Sequence, residues 1–527
     1  MSSSCDGSVQ NEGRPLGHVD EHHPRAGARE WFGLALLALP TALLGMDLTI
    51  LHLALPALAA DLRPSGAQLL WIVDIYGFMI ASLLVTMGTL GDRTGRRRLL
   101  MIGAATFAMA SVLAAYASTA SMLIAARALL GVAGATLMPS TLALISNMFV
   151  DRQQRGLAIG VWATMFALGM AAGPVVGGLV LEHFWWGAAF LVAVPVTGIL
   201  LLVAPFLLPE FRAPHAGRMD VASVVLSLFA VLPIIYAIKQ GAKDGLTGEA
   251  VAAAVLGAAF AAFFVRRQRT LVSPLVELDL FSNREFSVPL VILLGALAGV
   301  GGTMLLVTQY LQLVVGLSPW AAGLWMGPPA LAMLAAGIIA PLISRKVRPG
   351  NVIAGALALS LIGYLLLFLL DDDPSGLALV IVSYALVYLS LGAIAGLGTD
   401  LVVGSAPVTR AGAASAMSET VQELGLALGI ALLGSLTTAV YRANVDRLPI
   451  ALDDNHRRAV ADSLAGATSL GDALPTEILE LSRAAFVTGV NTAGGLCAVL
   501  VAILIALSAT QLRHVGASSQ RPDTDIR

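Results

Sequence analysis

Charge is what this sequence has least of. Only 12% of its 527 residues are Asp, Glu, Lys or Arg, while 57% are hydrophobic. That is about half the charge of an ordinary soluble domain, which excludes one. The apolar stretches run on without polar alternation, which excludes a membrane β-barrel. Cysteine is nearly absent too: Cys5 lies in a polar tail and Cys497 in a late apolar run. Two such residues exclude a disulfide framework and a thiolate metal centre. No G-x-x-x-x-G-K-[ST] stretch occurs, so the chain does not hydrolyse ATP through a phosphate-binding loop. A nucleophile elbow and a His/Cys/carboxylate metal cluster are also missing, which leaves an enzyme reading without support. Lysine is scarce and arginine carries nearly all the positive charge, as in proteins of GC-rich bacterial genomes. The first thirty residues lack the basic, apolar and cleavage pattern of a signal peptide, so the first span is expected to stay uncleaved. His18, His22 and His23 in that tail read as incidental and not as a metal site.

What is there in quantity is apolar helix. A span needs ~20 apolar residues to cross the bilayer core. The sequence offers fourteen, so the expected fold is an all-α polytopic membrane protein. They divide as a polar tail over 1–30, six spans over 31–208, two linker spans over 220–265, six spans over 287–508, and a second tail over 509–527. Arginine-rich segments such as "GDRTGRRR", "DRQQR" and "SRKVR" alternate with poorly charged ones, which places both termini in the cytoplasm. Adding or deleting one helix would scramble that bias. The outer segment 438–484 reads as a solvated excursion with one or two short surface helices. Glycines four apart recur in the fifth span of each six, at Gly169 and Gly173 and at Gly425 and Gly429. Such parallel repeats are one transporter plan, with a cavity between the halves.

"GTLGDRTGRRRLL" between spans two and three exceeds what a positive-inside loop requires. Gly88 and Gly95 permit close backbone approach and a tight turn, and Asp92 can meet an arginine such as Arg93 or Arg96, or a helix N-terminus, as a breakable latch. The stretch resembles the loop signature of the major facilitator superfamily. "RALLGVAGA", with Arg127, Gly131 and Gly134, resembles the family's fourth-helix motif. "GMAAGPVVGG", with Gly169, Gly173, Pro174, Gly177 and Gly178, resembles its fifth-helix antiporter motif. "MDLTILHLALP" is similar to the first helix of the fourteen-span drug:proton antiporters, the QacA-type branch. The resemblance implies a 6+2+6 major facilitator fold in a bacterial inner membrane. It also implies export driven by protons, with no cofactor. The implied partners are a small amphipathic substrate and lipid, without nucleic acid, for a chain working as a monomer. The second-half counterpart of the loop, "SRKVRPG", departs from the pattern.

Charges inside the spans carry the chemistry, because a carboxylate in the bilayer centre costs ~2.5–3.5 kcal/mol on insertion scales. At 1.5 Å per residue, Asp47 lies ~13 Å from the outer end of span one, with Asp74 ~8 Å and Arg127 ~9 Å from the same surface. Arg127 reads as the basic residue left inside a span. It can neutralise one acid, so the other is expected to take a proton or a cationic ligand. Glu419 and Glu423 share one face of span thirteen at i, i+4, with Glu423 ~16 Å deep. Structural roles stay open: Asp74 as an interfacial group, Arg127 as a helix-pairing residue, Glu419 near cytoplasmic water. Trp71, Tyr76, Phe166, Tyr310 and Trp325 are candidate aromatics for a cavity that takes flat or quaternary cations. The expected function is proton-coupled efflux of lipophilic cationic drugs or biocides. Export of a product made by the same cell, or a sensor that transports nothing, are the alternatives.

Overall fold

Lipid offers no hydrogen bonds, so each apolar run must satisfy its own backbone, and it does so by closing into a helix. The computed structural model describes residues 26–212, 220–245, 247–271, 274–371, 376–407, 410–445 and 454–513. The tail bearing Cys5 and the three histidines lies outside them. Among the described residues fourteen helices are long and apolar enough to cross a membrane. The first six are α1 (Ala28–Leu62), α2 (Gly66–Thr94), α3 (Arg96–Ala115), α4 (Ala120–Met148), α5 (Gln154–His183) and α6 (Ala188–Leu207). A hairpin follows, α7 (Val221–Gly241) and α8 (Gly248–Gln268). The last six are α9 (Arg284–Val314), α10 (Pro319–Ser344), α11 (Pro349–Phe368), α12 (Leu377–Gly404), α13 (Ala413–Val445) and α14 (Thr476–Gln511). Local chemistry sets their starts. Ser65 and Gln68 form a reciprocal capping box on α2, and Thr119, Asp151 and Ser318 cap α4, α5 and α10.

Each half packs its first helix on its fifth and its second on its fourth: α1 on α5 and α2 on α4, then α9 on α13 and α10 on α12. The repeated glycines explain the first pairing. A methyl group at Gly169 would strike the Ala42 carbonyl, and one at Gly173 would strike Thr49. Gly425 and Gly429 stand against the Leu294 and Ala298 carbonyls in the same way. Both pairs let two backbones approach where a side chain would hold them apart.

The halves meet along two seams, α2 with α13 and α5 with α10. Gly77 faces Ala427 and Gly434 faces Leu70 on the first; Gly178 faces Pro319 and Trp320, and Gly323 faces the Pro174 carbonyl, on the second. These contacts lie from mid-membrane outward, which is the arrangement of a transporter closed to the outside.

The linker pair does more than connect. α7 touches both α2 and α13, so it covers the first seam from the lipid side, where Phe78, Ile235, Ala427 and Ala431 form a small buried cluster. α8 lies outside α7 and buries little. Their cytoplasmic ends are joined by Arg267, which donates to both Asp220 oxygens at 2.6 and 2.8 Å. That pairing pushes the Asp220 carboxyl down to about 2, so it stays ionised at any physiological pH.

The outer segment holds two short helices, as the sequence suggests, but their apolar faces pack onto the protein instead of standing free in solvent. α13 continues to Val445 and α14 begins at Thr476, and the described residues between them, 454–475, fold onto the protein. Its two short helices, Asp454–Asp462 and Leu464–Thr468, bury Val460, Leu464 and Ala467. Tyr441 donates to the Val460 carbonyl at 2.8 Å. Asp462 accepts from the Gly66 amide of the first half at 2.6 Å and pairs with Arg442 of the second at 2.5 Å. One carboxylate thus clasps both halves at the outer face. The segment's polar residues look like surface in the sequence because the contact that clasps the first half, at Gly66, is 396 residues away. Asp462→Ala is expected to favour opening to the outside. A cysteine at Gln309, beneath this lid, should then react faster with an impermeant maleimide; unchanged labelling would contradict the clasp.

Candidate functional site

The fourth-helix motif delivers Arg127 to the centre of the first half, because Gly131 and Gly134 let α4 lie against α2. Arg127 Nη1 donates to Asp47 Oδ2 at 2.8 Å, and its Nε donates to the Ile72 carbonyl at 3.1 Å. The guanidinium lies 4.4 Å above the Tyr76 ring centroid. Both charged side chains are buried, at 1% exposure for Arg127 and 6% for Asp47. A pair with added hydrogen bonds and a ring beneath it can hold two charges where a single one could not stay.

Asp74 requires a correction. The sequence leaves it either reaching water at the interface or uncompensated behind Arg127. In the structure it is 1% exposed, and its Oδ2 lies 3.0 Å from Lys239 Nζ on α7. Arg127 is therefore not the lone basic residue within the spans. Lys239 lies within the linker stretch 220–265, where the sequence reading counts no intramembrane charge, and the helix carries it inward. The ammonium also lies 4.0 Å from the Trp71 ring centroid.

Glu423 is 4% exposed. Its Oε2 has no hydrogen-bond partner, and no described basic side chain pairs with it. Glu419, one turn nearer the cytoplasm, is half-buried. A small cavity across the first seam brings the groups together: His52, Asp74, Tyr76 and Arg127 line it from the first half, and Glu423 from the second. His52 Nδ1 and the Tyr76 hydroxyl have no partner either. The cavity is thus walled by polar groups that have no hydrogen-bond partner among the described residues. Asp47 and Arg127 cancel, Asp74 and Lys239 cancel, and Glu423 remains. A carboxylate in that position is balanced by a proton or by a cation.

His52 was legible but overlooked. It stands five residues after Asp47 in the same apolar run, and an ionisable residue inside a span is itself a functional signal.

The other sequence candidates divide. Trp71 and Tyr76 belong to the charged cluster. Phe166 is half-buried, and its backbone packs on Gly45. Tyr310 does not line the cavity; it donates to the Asp371 carbonyl at 3.2 Å, at the outer end of α9. Trp325 is 43% exposed and does not line the cavity. The fifth-helix motif stands at two interfaces: Gly169, Gly173 and Gly177 against α1, and Gly178 and Pro174 against α10.

In the loop, Arg96 Nε donates to Asp92 at 2.9 Å, Arg93 is exposed, and Gly95 adopts φ +111°, where a side chain would be strained. Gly88 has open space around it apart from Pro139. Arg97 ties the turn to Glu210 and to the Leu208 carbonyl. These bonds all stay within the first half. Asp92→Asn should therefore leave the distant cavity, and ligand affinity, unchanged, while loosening the turn and slowing turnover several-fold. Equilibrium binding and single-turnover efflux on the same variant check this; lost binding with normal turnover contradicts it.

The family profile described as Major Facilitator Superfamily matches residues 37–430. "Multidrug efflux pump LfrA" of Mycolicibacterium smegmatis is 43% identical over 93% of this chain and 98% of its own. "Methyl viologen resistance protein SmvA" of Salmonella typhimurium is 35% identical over 87% of this chain and 93% of its own. The solved structure of a bacterial homolog of the human lysosomal transporter Spinster, inward-facing and unoccupied, superposes with a TM-score of 0.62. That match covers 93% of this chain and 98% of the other at 16% identity, so it speaks to the fold. Fourteen helices in a 6+2+6 arrangement, matched helix motifs and close relatives over nearly the whole length place this multi-pass bacterial inner-membrane chain in the major facilitator superfamily, to which it belongs.

Proposed function

We propose that the chain is an antiporter that exports lipophilic cations, using protons that move inward. The observation that carries this reading is the cavity at the α2–α13 seam, where one carboxylate, Glu423, stands without a counter-charge. It needs one positive charge at a time, and a proton and a cationic drug both supply it. Competition for one acid at the interface of two moving halves is sufficient for exchange: the proton displaces the cation on the outer side, and the cation displaces the proton on the inner side. The chemistry named for the relatives, a multidrug pump and resistance to the dication methyl viologen, supports a cationic cargo. Protons are the coupling ion, no further cofactor is required, and the cavity lies within one chain, so a monomer in lipid suffices.

The test is efflux of a fluorescent cation from proteoliposomes. An imposed proton gradient should drive it, a protonophore should abolish it, and ATP should not restore it. Efflux that follows ATP and ignores the gradient would sink the reading.

A further inference from the structure

The mechanism above leaves one pair unused. Asp74 and Trp71 lie one turn apart on α2, so the carboxylate and the ring face present a single pocket. That combination, an acid beside an aromatic face, is the chemistry that recognises an organic cation. The occupant in this structure is the chain's own Lys239, with Nζ 3.0 Å from the acid and 4.0 Å from the ring centroid. Both charged side chains are at most 2% exposed. Two features show the occupancy to be loose. Lys239 Nζ and the Asp74 oxygens find no further partner, so the ion pair and the Trp71 ring contact are all that hold the ammonium. A lysine on a peripheral helix also carries a flexible four-carbon stem, unlike the forked grip of Arg127 on Asp47. Asp74 lines the seam cavity on its other side, beside Glu423.

We propose that Trp71 and Asp74 form a second cation site, and that Lys239 is a tethered competitor which fills it when no cargo is present. A lipophilic cation entering the cavity exchanges with the ammonium at Asp74. A dication bridges Asp74 and Glu423, one charge on each half. Lys239 then sets the threshold of charge and affinity that a substrate must reach, and it keeps the acid balanced while the cavity is empty. The linker hairpin acquires a role in selecting substrate beyond joining the halves.

This inference rests on the cation-exporter reading, yet its test needs no gradient. Purified protein in nanodiscs is titrated with tetraphenylphosphonium, a lipophilic monocation, and with Nile red, a neutral dye. The readout is the ratio of the two affinities. Lys239→Met empties the site and should raise the ratio about tenfold, the scale of one recovered ion–aromatic contact. Adding Asp74→Asn or Trp71→Leu to that variant should return the ratio toward the wild-type value. Lys239→Arg keeps the charge and grips the carboxylate with two bonds, so it should lower the ratio. If Lys239→Met does not fold, Lys239→Arg decides: a lower ratio supports the competitor, and an unchanged ratio overturns it. An unchanged or lower ratio in folded Lys239→Met overturns it as well. Loss of gradient-driven efflux in the wild type, with these ratios intact, would count against proton coupling and leave the site standing.

Discussion

Asp47→Asn should abolish proton-driven efflux of every substrate, neutral ones included. The asparagine keeps the size of the side chain and one hydrogen bond to Arg127, but it removes the charge that makes a buried guanidinium tolerable. Taking one partner from a buried ion pair costs about 3–5 kcal/mol, since the other charge is left alone. Arg127 would then turn toward another acid. Asp74 and Glu423 both line the cavity that Arg127 lines. A cation placed permanently at Glu423 excludes the proton and the drug together, which is why charge on the cargo should not matter. Efflux of monovalent, divalent and neutral substrates in the same vesicles tests this. Near-normal transport by a folded Asp47→Asn protein would remove the role assigned to the residue. Arg127→Met in the Asp47→Asn background should restore thermal stability and part of the transport, because it clears the orphan charge from Glu423.

Glu423→Gln should have the second-largest effect, and a selective one. Divalent cations should lose transport almost completely, monovalent ones partly, and neutral compounds least. The reason is electrostatic: the variant deletes the uncompensated acid while leaving the Asp47–Arg127 and Asp74–Lys239 pairs in place. A buried site without its negative charge has nothing to offset the desolvation of a dication. Matching losses across all three substrate classes would show that Glu423 serves coupling alone. Glu419→Gln, at a half-buried position nearer the cytoplasm, should be the milder of the two.

Which parts of this site the sequence reveals follows from the range of the forces involved. Asp47, Arg127 and Glu423 stand out because a charge inside a run of apolar residues is conspicuous on its own. Their partners are another matter. That Arg127 chooses Asp47 over Asp74 depends on how α1, α2 and α4 rotate about their axes, and several long helices admit many rotations that bury the same stripes. Lys239 stands at the end of an apolar run, where hydropathy alone reads a basic residue as a snorkelling end group. Only the docking of α7 against α2 turns it inward. The outer segment misleads for the same reason: Asp462 is polar because it binds Arg442 and the Gly66 amide, while Arg457 and Arg458 on the same short helix are exposed.

By itself, then, the sequence determined the membrane class, the fourteen spans, their orientation and the glycine repeat in the fifth span of each half. Each of these depends on hydropathy, on charge in short loops, or on small residues at fixed spacing, all of which act locally along the chain. The tertiary structure alone decided the partners of the buried charges, the closure of the outer face, and the meeting of Asp74, His52 and Glu423 in one cavity. Those depend on side chains from five helices in both halves converging to within a few ångströms, at positions separated by up to several hundred residues, and no local pattern encodes that distance.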